Sequence, residues 1–350
     1  MMSRHEELVR LKSHGDLIAY ATLQPGLSHF DTSYGRWSYR RVWGVDVTLG
    51  GPLCTPSDNA DMLRAFLAHS RRPLLCYVRR DLLNDLKGSG LHATGMGVDR
   101  HVDIERLLHA PSPEIASARK KARKAGLSLQ PLNLRDVGQA LRAELDAVQA
   151  EYLTRAQCSV EMSFINRPMD YADDGMRRFF TLQTREGLLG FGALNPVFEG
   201  GAITHYLLDV LRFRKTRLWG VWLACVTLLA EQLRKEGLGL TLGFAPLHHI
   251  ETLPHCSRGA TMQMQGMARW LGSAQYVQRL RELKALVPGT EEPRFLASHT
   301  RVALVNLLTL MEASGVGARR FFGPDLLRTV ARSLRAQRLR ILGKGGPDEA

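Results

Sequence analysis

Apolar positions along this chain fall into short blocks with two alternating rhythms. Runs rich in β-branched and aromatic residues, bounded by Gly and Pro, predict strands over 17–23, 42–49 and 74–78. Between them, 58–70 has helical spacing, with Ser57 as N-cap and Met62, Phe66 and Leu67 as an apolar stripe. Residues 80–87 look helical and 92–104 extended. A helix over 113–125 is stopped by Gly126, and a strand follows over 127–132. The rhythm then restarts. A long helix over 136–153 carries Leu141, Leu145 and Val148 on one face. Strands over 179–184, 188–196 and 202–210 come next, two of them joined by the turn Glu199-Gly200-Gly201. An apolar helix over 218–235 ends at Gly237, a buried strand spans 240–245, a helix covers 275–286, and a short strand covers 294–298.

Two rounds of mixed elements predict an α/β (α+β) chain of two similar lobes, each a mixed sheet flanked by helices. The expected division is 1–132, 133–299 and a helical basic tail, 300–350. In that tail an apolar helix spans 301–312. A last helix over 324–342 flanks Leu327, Val330, Leu334 and Ile341 with Arg328, Arg332, Arg335, Arg338 and Arg340, close to Phe321 and Phe322. Such a helix suits an anionic membrane surface, or packs on the core through its stripe.

Charge sharpens this picture. Lys and Arg number 47 against 34 Asp and Glu, a formal net charge of +13. An excess of that sign points to an anionic partner such as nucleic acid, a phosphate-bearing substrate or an anionic lipid surface. The five cysteines are scattered and form no C-x-x-C pair, so neither a disulfide framework nor a zinc ribbon is expected. No run reaches about 18 apolar residues. The first residues, Arg4, His5, Glu6 and Glu7, hold no signal-peptide core. The expectation is a cytoplasmic chain, with peripheral binding to the inner face of the membrane.

Three features carry candidate chemistry. In the first, Arg119, Lys120, Lys121, Arg123 and Lys124 crowd six positions just before Gly126, and Lys120, Arg123 and Lys124 share a side of the helix. They can hold phosphates through charge-assisted hydrogen bonds, or lie in water where the helix dipole favours cations. In the second, Asp209 ends an apolar strand and Arg212 follows three residues later. Asp209 can orient an amine nucleophile or take its proton, or serve as an ion pair or helix cap. In the third, the strand over 240–245 runs into Pro246, His248 and His249. His248 or His249 can act as general acid or base near neutral pH. With His255 and Cys256 the spacing matches no standard zinc pattern, so no metal is expected. The chain has no G-x-S-x-G, G-x-G-x-x-G or P-loop motif, and no cofactor is expected.

These features follow the order seen in the soluble catalytic domain of bacterial phosphatidylglycerol lysyltransferases, which the chain resembles over roughly residues 17–298. The basic stretch 119–126 precedes a strand, as in that family. Asp209-Val210-Leu211-Arg212 is similar to its Asp-Leu-Met-Arg, and Gly220 to its glycine at the next long helix. Leu242-Gly243-Phe244-Ala245-Pro246-Leu247 is similar to its Leu-Gly-Met-Ala-Pro-Leu, and Glu292-Pro293-Arg294-Phe295-Leu296 to its Glu-Pro-Arg-Tyr-Leu. The resemblance implies two tandem N-acetyltransferase-like lobes and transfer of an aminoacyl group from aminoacyl-tRNA to a lipid headgroup or small amine. It implies Asp209 and Arg212 for acceptor orientation or charge, Lys120, Lys121, Arg123 and Lys124 for donor phosphates, and Arg294 for either anion. His248-His249 and Arg214, Lys215 and Arg217 depart from the pattern and leave the acceptor open.

Two other readings stand beside it. One is an N-acyltransferase that takes its acyl group from acyl-CoA or acyl carrier protein. The other is a non-catalytic module that binds RNA or membrane. All catalytic readings share one expectation: a cationic crevice that holds the donor beside the Asp209 strand end.

Overall fold

The computed structural model describes residues 4–155, 163–169, 175–250, 256–271 and 275–315. The first half comprises α1 (Arg4–His14), β1 (Ser28–Asp31), β2 (Gly35–Val42), β3 (Val45–Thr48), β4 (Leu53–Cys54), α2 (Asn59–His69), β5 (Pro73–Val78), α3 (Leu82–Asp85), β6 (His92–Val102), α4 (Ile104–His109), α5 (Pro113–Ala125) and β7 (Ser128–Leu132). The second half comprises α6 (Gln139–Arg155), β8 (Arg178–Thr184), β9 (Gly187–Glu199), β10 (Ala202–Phe213), α7 (Val221–Lys235), β11 (Gly239–Pro246), α8 (Arg258–Leu271), α9 (Gln275–Leu286), β12 (Gly289–Ser298) and α10 (Ala303–Ala313). The tail helix expected over 324–342 and its Phe pair lie outside the described residues.

The strands join one mixed sheet of order β1-β2-β3-β5-β12-β6-β11-β10-β9-β8-β7, with β4 beside β2. This is the mixed α/β architecture that the alternation of runs predicts. Sequence order and position in the sheet part company at two strands. β12 inserts between β5 and β6, so a strand from late in the chain completes the early half. β7 pairs with β8 at the far edge, so a strand from the early half finishes the late one.

The periodic runs predict no element at α1, β1, most of β2, α4 or α8. Ser57, expected to cap α2, lies in a 3-10 turn before it, and Asp58 occupies the cap position. Two of the predicted segments also differ from expectation. The apolar run at 17–23 is a 3-10 turn (Ala19–Leu23), not a strand. Ile18, Ala19, Tyr20 and Ala21 are all buried, and a run apolar on every side has no period to tell strand from helix. The run at 42–49 is a hairpin: β2 and β3 meet at Val42 and Val45, and Trp43 and Gly44 turn the chain at positive φ.

Among the named strands of the described residues, parallel pairing occurs in two places. β3 meets β5 over two pairs, and β10 meets β11 over three, His205–Leu207 against Gly239–Thr241. Beyond Leu207 the two strands part. β10 continues along β9, and β11 along β6. The separation opens a gap in the middle of the sheet, and each side of it is packed by different elements. On one face α5 and α7 bury Ile115, Ala118, Leu223 and Val226 against Leu208 and Leu211 of β10. On the other, α6 buries Leu145 and Val148 against Phe179, Phe191 and Val210.

Candidate active site

The basic helix α5 follows from its own sequence. Ser112 caps it by accepting a hydrogen bond from the Ile115 amide at 3.4 Å, Pro113 occupies its first turn, and Gly126 ends it in the left-handed region at φ 71°. Ile115, Ala118 and Ala122 recur at helical spacing and are buried against α7. That packing leaves Lys120, Lys121, Arg123 and Lys124 exposed together. Arg119 turns aside to an ion pair with Glu231 at 2.9 Å. Gly220, at φ 75°, starts α7 so close to α5 that a Cβ there would lie 2.6 Å from that of Ala118. The loop before it brings Trp219, 48% exposed, under Lys121, whose Nζ is 4.8 Å from the ring centre. The same loop carries Arg214, half-buried, and Lys215 and Arg217, both exposed. The basic stretch itself has no aromatic, and Trp219 reaches it only through folding.

Asp209 owes its orientation to a bulge. Leu208 pairs with Leu194 and Val210 with Ala193, so Asp209 is the extra residue of β10. Its carbonyl is free of the ladder and accepts from Asn166 Nδ2 at 3.1 Å. Its carboxylate accepts from Asn166 Nδ2 at 3.0 Å, the Arg167 amide at 3.1 Å and Arg177 Nη2 at 2.8 Å. Arg177 also donates to Asn195 Oδ1 at 2.7 Å and to the carbonyls of Pro168 and Arg167 at 2.7 and 2.6 Å. The side chains of Arg177 and Asp209 are 2% and 1% exposed. Both carboxylate oxygens are engaged, which is the ion-pair alternative for Asp209. Burial lowers the Arg177 pKa while the Asp209 charge holds it up. The sequence shows nothing that singles out Arg177 or Asn166; their nearness to Asp209 is a product of the fold.

Arg212 lies three residues on, half-buried. Its guanidinium covers the Tyr152 ring of α6 at 4.4 Å, one Nη donates to the Leu211 carbonyl at 3.2 Å, and Nε is buried with no hydrogen-bond partner among the described residues. Arg212 and the Asp209–Arg177 pair thus share the α6 face of the sheet. The exposed cations of α5 belong to the opposite face. The single crevice expected to join them is replaced by a two-sided arrangement, because alternate residues of one strand face opposite ways.

The remaining expected residues lie elsewhere. His248 follows β11 and meets Glu291 of β12, with Nε2 3.4 Å from Oε1. Arg294 corrects the expectation of an anion-binding arginine. It is 1% exposed and ion-paired to Asp99, to Glu292 at 2.9 Å and to Asp16 at 3.5 Å, with its guanidinium 5.0 Å from the Tyr77 ring. A guanidinium already surrounded by three carboxylates inside the sheet is not offered to a donor phosphate. Lys284 lies near this network and donates to the Phe244 carbonyl at 2.7 Å. Burial pushes its pKa from 10.5 down to about 8, against the pull of Asp99. Between those pH values the unfolded chain keeps a proton that the folded chain has released, so the folded state gains stability as pH rises through that window. Unfolding measured at pH 8 and 10 should show this gain in the parent chain and its absence in Lys284→Met; equal slopes in both would remove Lys284 as its source.

A family model described as phosphatidylglycerol lysyltransferase, C-terminal, matches residues 7–298. A search of the curated proteins finds none that matches. Among solved structures, L-PGS from Bacillus licheniformis superposes with a TM-score of 0.72 at 15% identity, over 90% of this chain and 98% of that chain. The C-terminal domain (DUF2156) assigned to a lysylphosphatidylglycerol synthetase of Agrobacterium fabrum gives 0.67 at 16% identity, over 88% of this chain and 98% of that chain. These likenesses show a common fold. Among the described residues no helix is long and apolar enough to cross a membrane. The family model spans most of the chain, which therefore belongs to the phosphatidylglycerol lysyltransferase C-terminal family and is an acyltransferase of the aminoacyltransferase kind.

Proposed function

We propose that this chain moves an aminoacyl group from aminoacyl-tRNA to the headgroup of an anionic lipid, with donor and acceptor on opposite faces of the sheet and the transfer made in the gap between β10 and β11. One observation carries the reading. The exposed cations of α5 and the Arg212 end of β10 lie on the two sides of the same parting strand pair. Lys120, Lys121, Arg123 and Lys124 hold donor phosphates, and Trp219 offers an aromatic face to an unpaired base. Arg212, whose Nε has no hydrogen-bond partner among the described residues, receives the acceptor's phosphate. Asp209 and Arg177 act as positioning residues. They fix the bulge of β10 and tie segment 163–169 to it. A headgroup hydroxyl attacks the aminoacyl ester carbon, the new ester forms, the bond to the tRNA ribose oxygen breaks, and the proton of the attacking hydroxyl ends on that oxygen. Holding both substrates at the gap supplies much of the rate.

The test is transfer of label. The full chain is incubated with radiolabelled aminoacyl-tRNA and phosphatidylglycerol vesicles, and the lipid extract is counted. Label in the lipid that vanishes when the donor is first treated with RNase supports the reading. Transfer only from a labelled acyl thioester, unaffected by RNase, replaces the donor with acyl-CoA or acyl carrier protein. No transfer from any donor leaves a binding module.

A further inference from the structure

The turn after β11 holds a second cluster that the transfer chemistry does not use. Its backbone is unusual. Leu247 and His249 both lie in the left-handed region, at φ 56° and 42°, where a side chain costs about 1–3 kcal/mol each. The turn brings His248 and His249 together with their rings stacked, centroids 3.8 Å apart and planes 25° from parallel. Both face Glu291, more than forty residues on and in a different strand. His248 Nε2 is 3.4 Å from Oε1, and His249 Nδ1 is 2.5 Å from Oε2. All three ligand atoms lie within 4.8 Å of one another.

We propose that His248, His249 and Glu291 form a binding site for one divalent transition-metal ion of the zinc class. Two imidazoles and one carboxylate are a ligand set such ions take, with a further position left for water. Bonds of roughly 2.0–2.2 Å in tetrahedral geometry separate ligand atoms by roughly 3.3 Å, and the three ligand atoms already lie within 4.8 Å of one another. The closer His249–Glu291 pair opens by under about 1 Å, and His249, 67% exposed, has room for that shift. Arg100 Nη1 holds Oε1 of Glu291 at 2.8 Å, so the carboxylate offers the ion Oε2 and binds through one oxygen. The protonation states suit a ligand set. Burial, then the neighbouring His249, lowers the His248 pKa and favours neutral imidazole. Burial pushes the Glu291 carboxyl up, but the His249 hydrogen bond and the charge of Arg100 act against it, and the group stays below its ordinary value, as a carboxylate. Bound there, the ion ties the strained turn after β11 to the start of β12, the strand inserted from late in the chain. This site is independent of the aminoacyl-transfer reading.

The experiment uses the untagged full chain, stripped with chelator, and titrated with Co(II) and with Zn(II) against a chromophoric chelator. One equivalent of Zn(II) should bind, and Co(II) should give the visible bands of a low-coordinate nitrogen–oxygen site. His249→Ala and Glu291→Gln should each weaken binding by at least about 10²-fold, while thermal melting of the metal-free variants stays near that of the parent. Binding should weaken below about pH 6, where the imidazoles take up protons. Absence of saturable binding overturns the proposal. So does binding that both variants keep, and so does an intense near-ultraviolet band from Co(II), which marks cysteine thiolate as the ligand.

Discussion

Replacing Lys120, Lys121, Arg123 and Lys124 together with glutamine should lower affinity for aminoacyl-tRNA by about 10²-fold at physiological salt, because each phosphate contact contributes about 0.7–0.9 to the slope of log affinity against log salt. The same variant should lose about three from that slope. Four contacts are enough to dominate binding, yet the folded chain should barely register their loss. All four side chains are exposed, and glutamine is nearly as good a helix former as lysine. Stability should stay within about 0.5 kcal/mol of the parent. Filter binding across a salt series reads the effect directly. Unchanged affinity and slope would mean that the α5 face is a solvated surface, and the donor would have to be sought elsewhere. Trp219→Ala adds a separate check, since stacking contributes about 1–3 kcal/mol per base with little salt dependence.

Arg177→Met should destabilise the chain by about 3–5 kcal/mol, the usual effect of removing one partner from a buried pair and leaving the other charged in the interior. Among the described residues Asp209 would then keep Asn166 and the Arg167 amide as partners. Asp209→Asn should act in the same direction by stranding the Arg177 guanidinium, which is also held by Asn195, Pro168 and Arg167. The double variant Arg177→Met/Asp209→Leu should recover much of the loss, because an apolar pair of similar volume costs far less than a lone buried charge. Denaturant unfolding gives the stabilities, and the transfer assay gives the rates. If Asp209 positions the β10 bulge, turnover should return in part with stability in the double variant. If Asp209 takes the proton itself, turnover should stay about 10²-fold down or more whatever the stability. That second outcome would displace the positioning role assigned here.

Local signals made the secondary elements legible wherever their cause was local. Helix α5 was readable as a helix over 113–125 ended by its Gly126 stop, which the structure places in the left-handed region. The β9–β10 hairpin was readable from Gly200 and Gly201, which adopt the positive φ that their turn needs. Periodicity failed at 17–23, where burial on every side erases the difference between a strand and a turn of helix. It also ran the 42–49 strand back across the Trp43-Gly44 turn and took in only Val42 of β2, since apolar residues on both sides hid the turn.

The sequence by itself determined the alternation of elements, the mixed α/β class, the net charge of +13 and the presence of a cationic helix, because each depends on neighbours within a few residues or on a sum over the chain. The tertiary structure alone decided which of those residues meet. β12 enters between β5 and β6 through pairing with strands that precede it by more than 180 residues. One extra residue in β10 sets Asp209 against Arg177 inside the protein. α5 packs on the Leu208 and Leu211 face of β10, while Arg212 of the same strand lies against Tyr152 of α6, so the α5 cations and Arg212 stand on opposite sides of the sheet. The turn after β11 brings His248 and His249 to Glu291. A side chain's partners across a sheet depend on register and on strand order, and both are fixed by packing over the whole molecule, so no local pattern records them.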